Sequence, residues 1–333
     1  MRKLIVIAVL FCLAAVPAFA DVANEVVVGW EGDSTSKVES NVIADPKSKI
    51  DTKNSLFTVQ YTHFFTPLKD DDKPIDLRQF YQHPSTLSAG LAFIGMKDKN
   101  STIPGSEIDS KASAALLQFG GEYFLPTNTG LFLNIGFGGG TIEPKVNGVS
   151  QPDADVSLRM FDLGVRQYIG QNVALHLRFQ GESTELTQSG SPDVTIDRGV
   201  TYLGARGVIA DVVGLMLELG GGKVEDEQGG ITIKSDIAAV NAEIAGYIGK
   251  QLSLRLAIAA EEEKVTNSPA GVEHKTTTAR TTLAGRYWFS ERFGMELPIY
   301  AEAIEYKDTY PVIGEQTLKI TNSGIGLYAA FRF

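Results

Sequence analysis

The chain has 333 residues, 43% of them hydrophobic, and a formal net charge of −10, with one cysteine and four histidines. An acidic balance argues against nucleic acid as a partner, because phosphates recruit basic patches. A lone cysteine, Cys12, excludes both a disulfide framework and a thiolate metal site.

In chain order, the first element is a targeting segment. Arg2-Lys3, the apolar run from Leu4 to Val16 and Ala18-Phe19-Ala20 have the charged, apolar and small-residue layout of a secretory signal cleaved after Ala20. Residues 1–20 are therefore expected to be removed, leaving 21–333 as one domain. The run is too short to span a bilayer as a helix, and no later segment approaches the roughly 18 to 20 apolar residues required. Cys12 sits mid-run without the small residues that precede a lipidated cysteine.

Strand signals then follow one another to the C-terminus. Val173 to Glu182 alternates without a miss, Val173, Leu175, Leu177 and Phe179 against Ala174, His176, Arg178 and Gln180. Leu252 to Glu261 repeats the scheme, and Leu131 to Gly138 does so more gently. Two kinds of turn separate such runs. Tight ones lie at 126–130, 170–172, 211–214, 249–251 and 290–294, and longer polar ones near Pro46, Pro104, Pro152, Pro192, Gly229, Pro269 and Pro311. With one long inner connection, Pro67 to Ser85, these joints predict strands at 25–33, 52–65, 86–98, 109–124, 130–144, 155–169, 172–187, 195–210, 213–226, 231–248, 250–266, 274–289, 292–308 and 316–333. The ambiguous stretch Asp33–Ile50 and Pro298 inside a strand leave counts of about 12 to 16 open.

The fold expected is all-β, an antiparallel up-and-down transmembrane β-barrel of about 14 strands, because the alternation lasts roughly the 9 to 11 residues a tilted strand needs to cross hydrocarbon. Strands of this length exceed those of a soluble propeller. A motif recurs where strands return to the tight turns: Leu163-Gly-Val-Arg166-Gln-Tyr168, Leu203-Gly-Ala-Arg206 and Leu283-Ala-Gly-Arg286-Tyr287-Trp288. Tyr123, Phe124, Tyr168, Tyr247, Tyr287, Trp288 and Phe289 cluster there and are read as an interfacial girdle.

In the last strand Ile325, Leu327, Ala329, Phe331 and Phe333 share one face, and the chain ends on an aromatic residue. This resembles the terminal signal of bacterial outer-membrane barrels of the Gram-negative type. The resemblance implies that these residues are read by the barrel-insertion machinery, that both termini are periplasmic and that outer-membrane lipid surrounds the barrel. Smaller monomeric 14-stranded porins are the nearest architectural resemblance, since strand-like sequence starts at Glu25 and leaves no room for an N-terminal plug.

The opposite strand faces would line a lumen with Glu122, Asn134, Arg166, His176, Arg178, Arg206, Glu218, Glu243, Arg255, Arg280, Arg286, Glu296, Glu302 and Arg332. Arg166, Arg206 and Arg286 share a depth and suggest a constriction. Two compatible readings follow: opposed charges that discriminate solutes, or cross-strand pairs that hold the wall. The expected function is a porin-like channel for passive diffusion of small hydrophilic solutes or ions, without cofactor, metal or catalysis. The alternatives are an adhesin or structural partner and a barrel hydrolase. The hydrolase would need a nucleophile beside one of His63, His83, His176 and His274, and none is assignable. Asp70-Asp71-Asp72, flanked by Lys69 and Lys73, reads as a solvated connection and not as a calcium loop.

Overall fold

The computed structural model describes residues 22–40, 50–100, 107–266, 272–310 and 314–333. The expected signal segment and the loop positions Pro46, Pro104, Pro269 and Pro311 lie outside the described residues.

Fourteen long strands form one antiparallel sheet: β1 (Val22–Ser40), β2 (Ile50–Leu68), β3 (Thr86–Asn100), β4 (Ile108–Leu125), β5 (Thr129–Val146), β6 (Ala154–Ile169), β7 (Val173–Gln188), β8 (Val194–Ile209), β9 (Val213–Gln228), β10 (Ile231–Ile248), β11 (Leu252–Val265), β12 (Glu273–Ser290), β13 (Phe293–Tyr310) and β14 (Gly314–Arg332). Each pairs with its neighbours in sequence, and β1 pairs with β14 from Glu25↔Arg332 to Ser40↔Leu318. The sheet thus closes on itself with no free edge, the condition for a β-structure in hydrocarbon. Val149–Ser150 folds back on the end of β5 as a two-residue ladder.

The strand positions agree with those read from the sequence, and the ambiguous stretch after Asp33 continues β1 to Ser40. Pro298 stays within β13, facing Ala284, and falls where the pairing with β14 is interrupted between Glu296 and Ile299. That interruption is what a missing N–H requires. The polar joints are shorter than the sequence suggested. Gln228 and Ile231 are joined by Gly229-Gly230 alone, at φ 58° and 81°, a two-residue hairpin that needs left-handed backbone at both positions. Strands run on past the apolar band, as in β11, where Leu254, Leu256 and Ile258 face outward before Glu262 and Lys264 take over.

Pleat parity sorts the side chains. Leu175, Leu177 and Phe179 on β7 point outward at 44%, 48% and 39% exposure, while His176 between them is 8% exposed and points inward. Every strand contributes to the same outer belt, including Leu91, Leu133, Leu163, Leu217, Ile244, Leu283 and Leu327. A continuous exposed apolar surface of that extent belongs in lipid.

The packed core sits in one mouth of the barrel, at the tight turns, where Phe333 accepts a hydrogen bond from the Asn24 amide at 2.8 Å. We call this the turn mouth and the opposite opening the far mouth. The connection between β2 and β3, read from the sequence as solvated, folds into the turn mouth as a 3-10 turn (Ile75–Leu77) followed by a short helix, α1 (Arg78–Gln82). His83 at φ 47° ends the helix and redirects the chain to β3. Leu77 and Phe80 pack against Tyr168, Ala174, Val208, Ala245 and Tyr247, and Ile75 packs against Trp288 and Ala330. Each of these three apolar side chains contributes about 1.5–3 kcal/mol of burial to docking.

The same packing corrects the girdle reading. Tyr123, Tyr287 and Phe289 do face outward, but Phe124, Tyr168, Tyr247 and Trp288 fall on the inner parity and hold the inserted segment.

Candidate functional site

The inner wall carries charge at alternate positions because alternate positions are all that face inward. All fourteen residues picked from the sequence fall on that face, and the structure gathers most of them into ion-pair networks. Arg166 on β6 donates to both Glu122 oxygens of β4 at 3.0 Å and lies over Phe132. On the adjacent β7, His176 Nε2 sits 2.7 Å from Glu218 Oε1 of β9, and Glu218 Oε2 accepts from Arg178 at 3.3 Å and from Asn241 at 3.0 Å. Arg178 also reaches Asp162 at 3.7 Å and stacks on Tyr202. Asn134 faces Asp162 across the β5–β6 ladder.

A third network joins wall and inserted segment. Arg255 donates to Glu296 Oε1 at 2.6 Å and lies 3.8 Å from Glu243. Arg286 bridges Glu296 Oε2 (2.7 Å) to Asp76 Oδ1 (3.1 Å), and Trp288 Nε1 donates to the same Asp76 oxygen at 2.8 Å. Arg280 pairs with Glu31 at 3.3 Å over the Tyr300 ring, Glu302 accepts from Asn322, and Arg332 pairs with Glu25 at 2.6 Å.

The three arginines read as a constriction each lie beside the inserted segment. Arg286 holds Asp76, Arg206 lies 5.3 Å from the Phe80 ring centroid, and Arg166 stands beside His83. The glycines two before Arg166 and Arg206 make room for their neighbours: a Cβ at Gly164 would meet Phe132 at 2.5 Å, and one at Gly204 would meet His176 at 2.4 Å.

On the segment itself, Arg78 is 2% exposed and clamped by Asp70 at 2.9 Å, by Asp71 and by Glu291 of the β12–β13 turn. Asp72 pairs with Lys250. Lys73 Nζ and the Tyr81 hydroxyl both donate to Asp211, each at 2.6 Å, fastening the segment to the β8–β9 turn. The Asp70-Asp71-Asp72 run thus serves as counter-charge for Arg78 and for Lys250.

Titration follows from these contacts. Burial pushes the Asp76 carboxyl up, but the Arg286 charge and hydrogen bonds from Ser253, Trp288 and Arg286 outweigh it and hold it below the ordinary carboxylate value. Asp211 is held low by hydrogen bonds from Lys73 and Tyr81. Burial lowers His83, which stacks on Phe124 and lies against the tilted ring of Tyr168, and Arg166 lowers it further against the contrary pull of the Phe80 backbone.

Above the segment lies a polar cavity of about 380 Å³, floored by Gln79 and walled by Glu122, Arg166, Arg178, Arg206 and Glu218. A smaller one of about 100 Å³ lies between Asp76, Arg206, Glu243 and Arg286. Toward the far mouth the inner face turns apolar in two places, across β2–β4 with Leu56 opposite Ile94 and Ala92 opposite Leu116, and across β8–β10 with Val200 and Ile237 packed together.

Sequence reading missed the acids Glu25, Glu31, Asp162, Asp76 and Glu261. All but Asp76 were signalled by parity: Asp162 lies four residues before Arg166 on one strand face, and Glu261 six after Arg255. The remaining histidines are engaged as well, His63 with Asn24 at 2.9 Å and His274 with Asp308 at 2.8 Å.

No protein-family model and no curated protein sequence matches the chain. Among solved structures, the TodX monoaromatic hydrocarbon channel deltaS2 mutant is similar with a TM-score of 0.61 at 10% identity, over 95% of this chain and 92% of that one. The toluene transporter TodX of P. putida follows at 0.58 and 10%, over 96% and 92%. The CymD monoaromatic hydrocarbon channel gives 0.53 and 8%, over 94% and 89%. At such identities the likeness is one of fold, and the fold is that of a 14-stranded outer-membrane β-barrel.

Proposed function

We propose that this chain is a passive channel of a Gram-negative outer membrane for small hydrophilic solutes or ions, shut at its periplasmic mouth by the segment Lys69–Ser85. The observation that supports it best is the contrast of surfaces. An apolar outer belt encloses a lumen of paired charges, and the polar cavity of about 380 Å³ has the docked segment as its floor. Opposed charges at close quarters order water and select solutes, and a floor docked by three apolar side chains and a handful of polar contacts is a separable element. The chemistry is that of a filter, with no bond made or broken.

A second reading has its own support. The two apolar inner patches, at Leu56, Ile94 and Leu116 and at Val200 and Ile237, would suit a hydrocarbon entering from the far mouth, and the similar structures named above are described as hydrocarbon channels. Proteoliposome flux separates the two. The main reading expects swelling in iso-osmotic sugar or amino-acid solutions that rises when the segment is released. Uptake of toluene with no passage of polar solutes by the released protein would replace it with the hydrocarbon reading.

A further inference from the structure

Among the described residues, every inward-facing arginine but one has a carboxylate within 4.0 Å: Arg166, Arg178, Arg198, Arg255, Arg280, Arg286 and Arg332 are all paired. The exception is Arg206. Its contacts are aromatic, with the Phe80 ring centroid at 5.3 Å and Tyr247 and Tyr168 close by. Rings of this kind hold a guanidinium in place without cancelling its charge. The acids around it are committed elsewhere. Glu218 serves His176, Arg178 and Asn241, Glu243 faces Arg255, and Asp76 serves Arg286, Trp288 and Ser253. Arg206 also borders both polar cavities, so its charge is presented to each of them.

We propose that Arg206 is the anchor of an anion subsite in the lumen, which binds the carboxylate of a small hydroxylated organic acid. Planar guanidinium and planar carboxylate match in two parallel hydrogen bonds, a geometry that neutral sugars and cations cannot use. The remainder of the larger cavity offers uncharged partners for hydroxyl groups, namely Gln60, Thr62, Ser88 and Asn134 on the wall and Gln79 on the floor. The subsite deepens the channel reading and rests on it for its role in transport. Its binding does not depend on conduction.

The test uses the full mature chain in detergent and in planar bilayers, with gluconate as the anionic probe and glucose as its neutral counterpart. Calorimetry is expected to show gluconate binding that weakens about tenfold or more in Arg206→Gln and by an intermediate amount in Arg206→Lys, which keeps the charge but loses the two-bond match. In a KCl gradient the wild-type reversal potential should favour chloride over potassium, with the preference lost in Arg206→Gln. Heat-modifiable migration on gels reports that each variant is a folded barrel. Gluconate binding to Arg206→Gln as tight as to wild type, or no binding to the wild type, overturns the subsite. Conductance with a potassium preference would overturn it too while leaving the channel reading in place. Gluconate binding without conductance in any variant would do the reverse.

Discussion

Asp76→Ala removes the acceptor that ties the inserted segment to the wall. Asp76 takes hydrogen bonds from Arg286 at 3.1 Å, from Trp288 Nε1 at 2.8 Å and from the Ser253 hydroxyl. In the variant Arg286 keeps Glu296, but Trp288, 1% exposed, is left with an indole N–H that has no acceptor. Breaking a largely buried pair costs about 3–5 kcal/mol, and the retained Arg286–Glu296 contact favours the low end of that range. At 1.4 kcal/mol per decade, the equilibrium between docked and released segment shifts by about 100-fold or more. The barrel should be unaffected, because its strand ladders do not include Asp76. In planar bilayers the open probability of Asp76→Ala should therefore rise by about two orders of magnitude over wild type, with heat-modifiable migration unchanged. Asp76→Asn, which keeps an acceptor for Trp288, should fall between. An open probability within about threefold of wild type would refute the assignment of Asp76 as the latch.

Two more outcomes follow from the same contacts. His83 is docked with its pKa lowered, so its share of docking is complete above the free value of 6.5 and is lost as pH falls through the docked value. The carboxyls Asp76 and Asp211 add a second loss only as pH falls below 3.8, their unperturbed value. Channel opening should rise in two stages on acidification, and His83→Gln should erase the first, measured as open probability against pH. Separately, a Cβ at Gly222 would lie 2.0 Å from the Gly199 carbonyl oxygen of β8. Gly222→Val is expected to destabilise the barrel by about 1–3 kcal/mol, seen as a lower urea midpoint on gel mobility. An unchanged midpoint would mean that the wall relaxes there.

The barrel was legible because its physics is local. Val173 to Glu182 declares both faces in ten residues, and closure follows once each strand pairs with the next and Arg332 meets Glu25. Loop lengths were less legible, since nothing in Gly229-Gly230 says that the strands beside it outrun the apolar band. The inserted segment was hidden for a different reason. Ile75, Leu77 and Phe80 are too few for any periodic signal, and the acids before them look solvated until Arg78, Glu291 and Lys250 are brought near by the closed barrel. Tyr168 and Trp288 held a clue. Counting parity on from Leu163 and Leu283 puts both on the inner face, where a girdle residue cannot be.

The claim that matters most is that a channel runs through this barrel and that the β2–β3 connection closes it. Phe65 and Ser85 already share a backbone hydrogen bond at 2.9 Å, so a short Gly-Ser turn can replace Asp70 to His83 without disturbing the ladder. Single-channel recording of that variant beside wild type is the direct measurement. Brief, rare openings are expected in the wild type and a persistently open state in the variant. Equal conductance in both, or no conductance in either, would contradict it.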